Sequence, residues 1–197
     1  VTARTTSVFV ATGAFDCGKT TTLEWLRDHH GLRIHGEAHL RALARLGERT
    51  AGHPPNCGFT RIADPAHFCP LCRPWEFAEL VLAEQAEIEQ CAQSGDILER
   101  GWLDPIEMLL RNTGADDDAP RPAWAPIARY VRVFLFELMP ELQRPRWGKD
   151  VAARRAEARA INERLARLYR GAGYEIVRIA PGRVEERAAR VLEQLDL

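Results

Sequence analysis

Long hydrophobic runs are missing from this chain. Nowhere do its 197 residues approach the ~20 consecutive apolar positions that a membrane-spanning helix needs. That excludes a helical membrane protein, and no membrane partner is expected. Residues 1–7 are polar and lack the apolar centre of a secretory leader, so a cytoplasmic location is expected. A surplus of either charge is missing too. The 27 Lys and Arg against 28 Asp and Glu leave a formal net charge of -1. Nothing global therefore draws the chain toward nucleic acid or an anionic surface. Cysteine is sparse and odd in number, five in all (Cys17, Cys57, Cys69, Cys72, Cys91), which argues against a disulfide framework. What is present is ordinary for a soluble domain: 46% apolar and 28% charged residues. The length suits one domain over 1–197 with a sizeable core.

The periodicity predicts alternating strands and helices. Residues 7–12 (SVFVAT) form a short β-branched and aromatic run that reads as a buried strand. Residues 18–30 read as a helix that Gly31 ends. A strand over 32–36 and a helix over 38–46 follow. Residues 50–74 are dense in Gly, Pro, Cys and His without a period, which predicts an irregular insertion. A long helix over 75–94 leads to a short strand ending at 97–98, and residues 104–111 look helical. A loop over 114–126 precedes the clearest strand, 129–138. Helix 151–169, strand 174–179 and helix 184–195 close the chain. Repeated βα units imply an α/β fold, a five-stranded parallel sheet covered by helices on both faces.

The strongest motif is Gly13-Ala14-Phe15-Asp16-Cys17-Gly18-Lys19-Thr20, which fits G-x-x-x-x-G-K-[ST] between a strand and a helix. The glycines permit backbone angles that other residues resist. Loop amides and the helix N-terminus then face one anion, a nucleotide triphosphate. Lys19 is the phosphate-binding cation and the Thr20 hydroxyl a Mg²⁺ ligand. Residues 13–21, Thr21 included, are the expected ATP cradle. Cys17 reads as a small residue that fits the bend, and Cys91 as a core residue of the long helix.

From Ser7 onward the chain resembles small P-loop ATPases of nucleoside- and nucleotide-kinase type. Nicotinamide riboside kinases, deoxynucleoside kinases and single-domain "AAA" ATP-binding proteins look similar. Besides the P-loop, the resemblance rests on Gly36-Glu37-Ala38, on Leu98-Glu99-Arg100-Gly101 with Asp104, and on Gly173-Tyr174-Glu175-Ile176, Pro181 and Glu186-Arg187 in that order. It implies an ATP- and Mg²⁺-dependent kinase that phosphorylates a small-molecule hydroxyl. It implies Glu37 as the base that accepts the hydroxyl proton. It implies Glu99 as a Mg²⁺ ligand, direct or through water, and Arg100 as a contact to phosphate or substrate. It places a lid over 143–156, with Arg146 and Arg154 as the cations that neutralise developing charge. The bland reading of that basic run is a solvated helix face. Trp102 and Trp147 adjoin these segments and are candidates for stacking on a ring.

The resemblance does not cover the cysteine-histidine segment. Cys69-Pro70-Leu71-Cys72 places two thiolates on one side of a bend, a reach suited to Zn²⁺. Cys57 with either His67 or His53 completes a four-ligand structural site, and a metal would order a segment too polar to pack itself. The other reading is a reduced, unliganded loop. Two rival functions remain in view. One is a nucleotide-gated binding module with slow hydrolysis, although no Asn-Lys-x-Asp guanine reader is present and a motor's helical lid domain has no room. The other is a kinase of polynucleotide ends, which the neutral charge disfavours. The oligomeric state is left open, a homodimer included.

Overall fold

The computed structural model describes residues 6–49, 70–119, 123–146 and 148–195. Its centre is a five-stranded sheet of order β2-β3-β1-β4-β5 in which every paired strand is parallel. The strands are β1 (Ser7–Thr12), β2 (Ile34–His35), β3 (Ile97–Glu99), β4 (Arg129–Phe136) and β5 (Ile176–Ile179). Between them run α1 (Lys19–His30), α2 (Ala38–Arg49), α3 (Pro74–Cys91), α4 (Leu103–Thr113), α5 (Val151–Gly171) and α6 (Val184–Leu192). Parallel pairing requires these crossovers, because the chain must return to the same sheet edge before each new strand.

Strand alternation divides the core in two. Val8, Val10, Leu98, Val133 and Leu135 point to one face, where α2 to α5 supply Phe77, Val81, Ile106 and Leu165. Phe9, Ala11, Ile97, Phe134 and Phe136 point to the other, where α1 and α6 supply Leu23, Leu26 and Val191. The register Phe9↔Ile97 and Val10↔Leu98 keeps like faces together across β1 and β3, as the two-residue side-chain period demands. Helices thus cover both faces, as the strand sequences require.

Several boundaries differ from expectation. The strand expected over 32–36 pairs at Ile34–His35 alone, where it forms the sheet edge. A 3₁₀ turn at Pro140–Leu142, not foreseen, carries the chain from β4 toward α5. Cys91, expected in the core, is exposed at the end of α3; Ile88, Glu89 and Ala92 take the buried positions there, and Gln90 and Cys91 fall on the outward side of the helix. Among the described residues no helix is long and apolar enough to cross a membrane.

Candidate nucleotide and phosphoryl-transfer site

The loop after β1 lies at the carboxyl edge of the central strand, where ligands of open α/β sheets bind. Gly13 has φ of 146°, and a Cβ there would meet the Phe136 carbonyl oxygen at 2.8 Å, so the position admits only glycine. Asp16 takes the left-handed conformation, φ 54°, which a non-glycine residue adopts only when its surroundings hold it. They do: Gln143 Nε2 donates to its carbonyl at 3.2 Å and Arg154 Nη2 to its carboxylate at 2.7 Å. Asn162 on α5 grips the loop's start. Its Oδ1 accepts from the Ala14 amide at 2.6 Å while its Nδ2 donates to the Phe136 carbonyl at 3.0 Å. Thr20 and Thr21 are exposed at the first turn of α1, open to a ligand.

Lys19 is 3% exposed. Its Nζ donates to Glu37 Oε1 at 2.9 Å and to Glu99 Oε1 at 2.5 Å. Thr20 Oγ1 donates to the same Glu99 oxygen at 2.5 Å. Hence the four residues assigned from separate segments, Lys19, Thr20, Glu37 and Glu99, meet in one place. The Thr20 hydroxyl and the Glu99 carboxylate are hard oxygen donors side by side at the helix start, a set that fits Mg²⁺.

Arg100 joins them. It follows β3 directly, with φ of 74°, a strained conformation of the kind that clusters at functional sites. Its Nε lies 3.0 Å from Glu37 Oε2, and its Nη1 donates to Asp104 Oδ1 at 2.9 Å and to the Gly13 carbonyl at 3.0 Å. Glu37 also faces His39, whose Nδ1 lies 2.6 Å from Oε2. Burial works to raise the Glu37 pKa. The facing Arg100 charge, with His39 and Lys19, overrides it and holds the carboxyl far below the usual carboxylate range. For Arg100 the balance has the opposite sign: burial opposes its charge, and Glu37 and Asp104 more than restore it, so its pKa is raised. Glu37 is therefore ionised throughout the physiological range.

A stability consequence follows from linkage. A carboxyl with a depressed folded-state pKa stabilises the fold above its ordinary value of 4.5 and loses that contribution as pH falls below it. Thermal melts of the protein and of Glu37→Gln should therefore differ by a constant Tm gap above about pH 5 and converge below it. A gap that does not change with pH would disprove the ion-pair account of Glu37.

The two lid candidates occupy different settings. Arg154, in the first turn of α5, is 1% exposed. It pairs with Asp16 and lies over the Phe15 ring at 3.8 Å from its centroid, so its cation is already docked on the P-loop. Arg146 is exposed on a turn closed by backbone hydrogen bonds to and from Lys149, both 3.1 Å. Beside the cluster, between α3, α4 and the loop, lies a hollow lined by Phe15, Val81, Gln85, Arg100, Met108 and Arg111 among others. Arg111 faces Glu107 and Glu157, and Glu157 accepts from Lys149 at 2.9 Å, which links the hollow's wall to the residues before α5.

Of the zinc candidates, Cys57, His67 and Cys69 lie outside the described residues, as do His53 and Trp147. Cys72 is half-buried in the turn before α3. Among the described residues, no group of three or more His, Cys, Asp or Glu side chains is placed to hold a metal. Trp102 is partly buried against the core, and its indole Nε1 donates to the Tyr174 hydroxyl at 3.4 Å. Sequence reasoning missed Asn162, His39 and the full role of Asp104. A polar residue on a helix gives no local sign of a partner 148 positions away.

The chain matches the family model described as an AAA domain over residues 8–187. No curated protein matches it. Among solved structures it is similar to deoxyadenosine kinase from M. mycoides. With the products dCMP and a flexible dCDP bound, that enzyme gives a TM-score of 0.55 at 10% identity, covering 96% of this chain and 98% of that one. With dATP bound, it gives 0.57 at 10% identity, covering 97% and 100%. Shikimate kinase from Acinetobacter baumannii in complex with shikimate gives 0.49 at 15% identity, covering 98% and 93%. At these identities the deoxyadenosine kinase likeness establishes a shared fold over nearly the whole length. Together with a glycine-bounded loop and its Lys-Thr pair at the end of β1, the match over residues 8–187 shows that this chain belongs to the AAA domain family, on a small P-loop kinase-type fold.

Proposed function

We propose that the protein is an ATP-dependent kinase that transfers the γ-phosphoryl group to a hydroxyl of a small molecule. The observation that carries this reading is the convergence of Lys19, Thr20, Glu37, Glu99 and Arg100 beside a partly apolar hollow. In the reaction the bond between the γ-phosphorus and its bridging oxygen breaks. A new bond forms to the acceptor oxygen, ADP leaves, and the hydroxyl proton passes to a base or to solvent. Residues 13–21 cradle the phosphates with backbone amides. Lys19 exchanges its carboxylate partners for phosphate oxygens. Thr20 and Glu99 would hold Mg²⁺, which would supply charge neutralisation at the phosphates.

Glu37 and Arg100 complete the acceptor side. A carboxylate held this far toward ionisation has little appetite for a proton, so its main contribution is to accept a hydrogen bond and orient the attacking hydroxyl. That suffices for a transfer in which positioning and charge stabilisation dominate. Arg100, with its fork spread between Glu37 and Asp104, offers a rigid donor to the acceptor or the transferring group. Residues 143–156 form the lid: Arg154 stands against the loop, and Arg146 is the exposed cation able to close over it.

The test is ADP release from ATP and Mg²⁺, with and without a library of nucleosides, sugars, amino alcohols and other hydroxyl metabolites. A rise of about 100-fold or more with one acceptor class is the expected result, since proximity alone is worth more than that. Slow release that no acceptor changes would reject the kinase reading and favour a nucleotide-gated module.

A further inference from the structure

Arg187 is a buried cation behind the phosphate loop that the reaction above does not use. It sits in α6 and is 4% exposed. Its Nη1 donates to the carbonyls of Cys17 at 3.2 Å and Gly18 at 2.8 Å. Its Nε is buried with no hydrogen-bond partner. Among the described residues no carboxylate forms an ion pair with it. Burial pushes its pKa down, with Cys17 and the charge of Glu141 only partly opposing. Every other buried cation of the site is matched to an acid: Lys19 to Glu37 and Glu99, and Arg154 to Asp16. A buried charge without a counter-charge destabilises a fold in general. Its place behind the loop therefore calls for a ligand.

The geometry gives that charge a direction of action. In a trans peptide the C=O and the following N–H point opposite ways. The Gly18 carbonyl also accepts from the Thr22 amide at 3.2 Å and the Thr22 hydroxyl at 3.0 Å, so the first turn of α1 sets the Lys19 amide and Arg187 braces it. The Cys17 carbonyl, held by Arg187 on the α6 side, turns the Gly18 amide away from α6. Gly18 makes this docking feasible. Its φ of 68° is left-handed, and a Cβ there would overlap the Arg187 guanidinium.

We propose that Arg187 is a positioning residue of the nucleotide site, aiming the Gly18 amide at the phosphates and bracing the Lys19 amide beside it, and that the bound polyphosphate is the counter-charge it lacks. This rests on the reading of residues 13–21 as a nucleotide cradle. Its test needs binding alone, with no acceptor and no turnover.

The probe is MgADP, titrated calorimetrically into the full chain, into Arg187→Met and into Arg187→Lys at low and at physiological salt. Arg187→Met should bind about 10-fold more weakly or worse, as expected for loss of charge-assisted bonds. Its affinity should fall less with salt than the parent's, because one cation is gone. Its Tm without nucleotide should be no lower than the parent's by more than about 3 °C, since the two lost bonds are offset by removal of an uncompensated buried charge. Arg187→Lys keeps the charge, but its ammonium ends short of the point where Nη1 spans both carbonyls, so it should keep the parent's salt dependence and recover only part of the affinity. A lower Tm with parental MgADP affinity would make Arg187 a structural brace only and overturn the proposal. Should Arg187→Met fail to fold, parental affinity in Arg187→Lys would overturn it, and weaker binding with parental salt dependence would support it. A parent chain that does not bind MgADP would instead sink the nucleotide reading itself.

Discussion

Lys19→Ala should remove phosphoryl transfer, lowering turnover by about 100- to 1000-fold or more, the loss typical of deleting one preorganised donor to developing charge. The ammonium is the cation at the convergence of Glu37, Glu99 and Thr20, and no neighbour replaces it. Arg100 is spread between Glu37 and Asp104, and Arg154 is tied to Asp16. The measurement is acceptor-dependent ADP release by the purified variant. Retained turnover would reject the assignment of residues 13–21 as the phosphate cradle.

The same substitution carries a stability signature. Without Lys19, the carboxylates of Glu37 and Glu99 share a buried site with less positive charge. Breaking a buried pair by removing one partner costs about 3–5 kcal/mol in general. Arg100 and His39 still face Glu37, so the loss falls mainly on Glu99, which loses Lys19 and keeps only the Thr20 hydroxyl among its side-chain donors in the cluster. Lys19→Ala should therefore lower Tm. Adding Glu99→Gln, which removes the carboxylate left without its cation, should restore part of that Tm while leaving turnover absent. That outcome separates the electrostatic role of Lys19 in the fold from its role in transfer.

The features legible in the sequence are those written in local spacing. The loop at 13–20 declares itself because phosphate binding needs glycines, a lysine and a hydroxyl at fixed offsets within one turn. The inner strands β1, β3 and β4 declare themselves because parallel strands buried on both faces are largely apolar, as in residues 129–136 (RYVRVFLF) toward their end. Glu37, Glu99 and Arg100 were legible through their order along the chain, and they meet because β2, β3 and β1 are neighbours with carboxyl ends at one edge. What stayed hidden lies in contacts between distant segments. Asn162 looks like any polar helix residue until α5 packs over the loop. Arg187 belonged to the closing pattern with Glu186, but with no role attached; its docking on Gly18, 169 positions earlier, exists only once α6 closes on the loop. Arg154 was legible as a cation of the basic run, but its burial over Phe15 depends on where α5 begins relative to β1.

Asp104→Ala is expected to cost about 3–5 kcal/mol, the range for exposing a buried charge partner, and to lower Tm by on the order of 10 °C in a chain of this size. The resemblance made Asp104 a companion of the Glu99-Arg100-Gly101 run; its geometry makes it the hub that holds that run in place. It is 6% exposed in the first turn of α4, where the helix N-terminus favours a negative charge. Oδ1 accepts from Thr12 Oγ1 at 2.6 Å and Arg100 Nη1 at 2.9 Å. Oδ2 accepts from the Gly101 amide at 3.0 Å and the Tyr169 hydroxyl at 2.7 Å. Four donors from β1, the β3–α4 turn and α5 thus share one carboxylate. Thr12 and Tyr169 are fully buried, so neither finds water when it is lost. Asp104→Asn keeps the volume but removes the charge and turns one acceptor into a donor facing a donor, so it should fall between the parent and Ala. Activity should separate these losses. Tyr169→Phe removes one bond to Asp104, about 1 kcal/mol, and should leave transfer near the parental rate. Asp104→Asn frees Arg100 from one of its two acids, relaxes the strained backbone at φ 74°, and should depress kcat well beyond what its melting loss explains. A kcat in Asp104→Asn that matches Tyr169→Phe at a temperature where both are folded would mean that Arg100 needs no such holding.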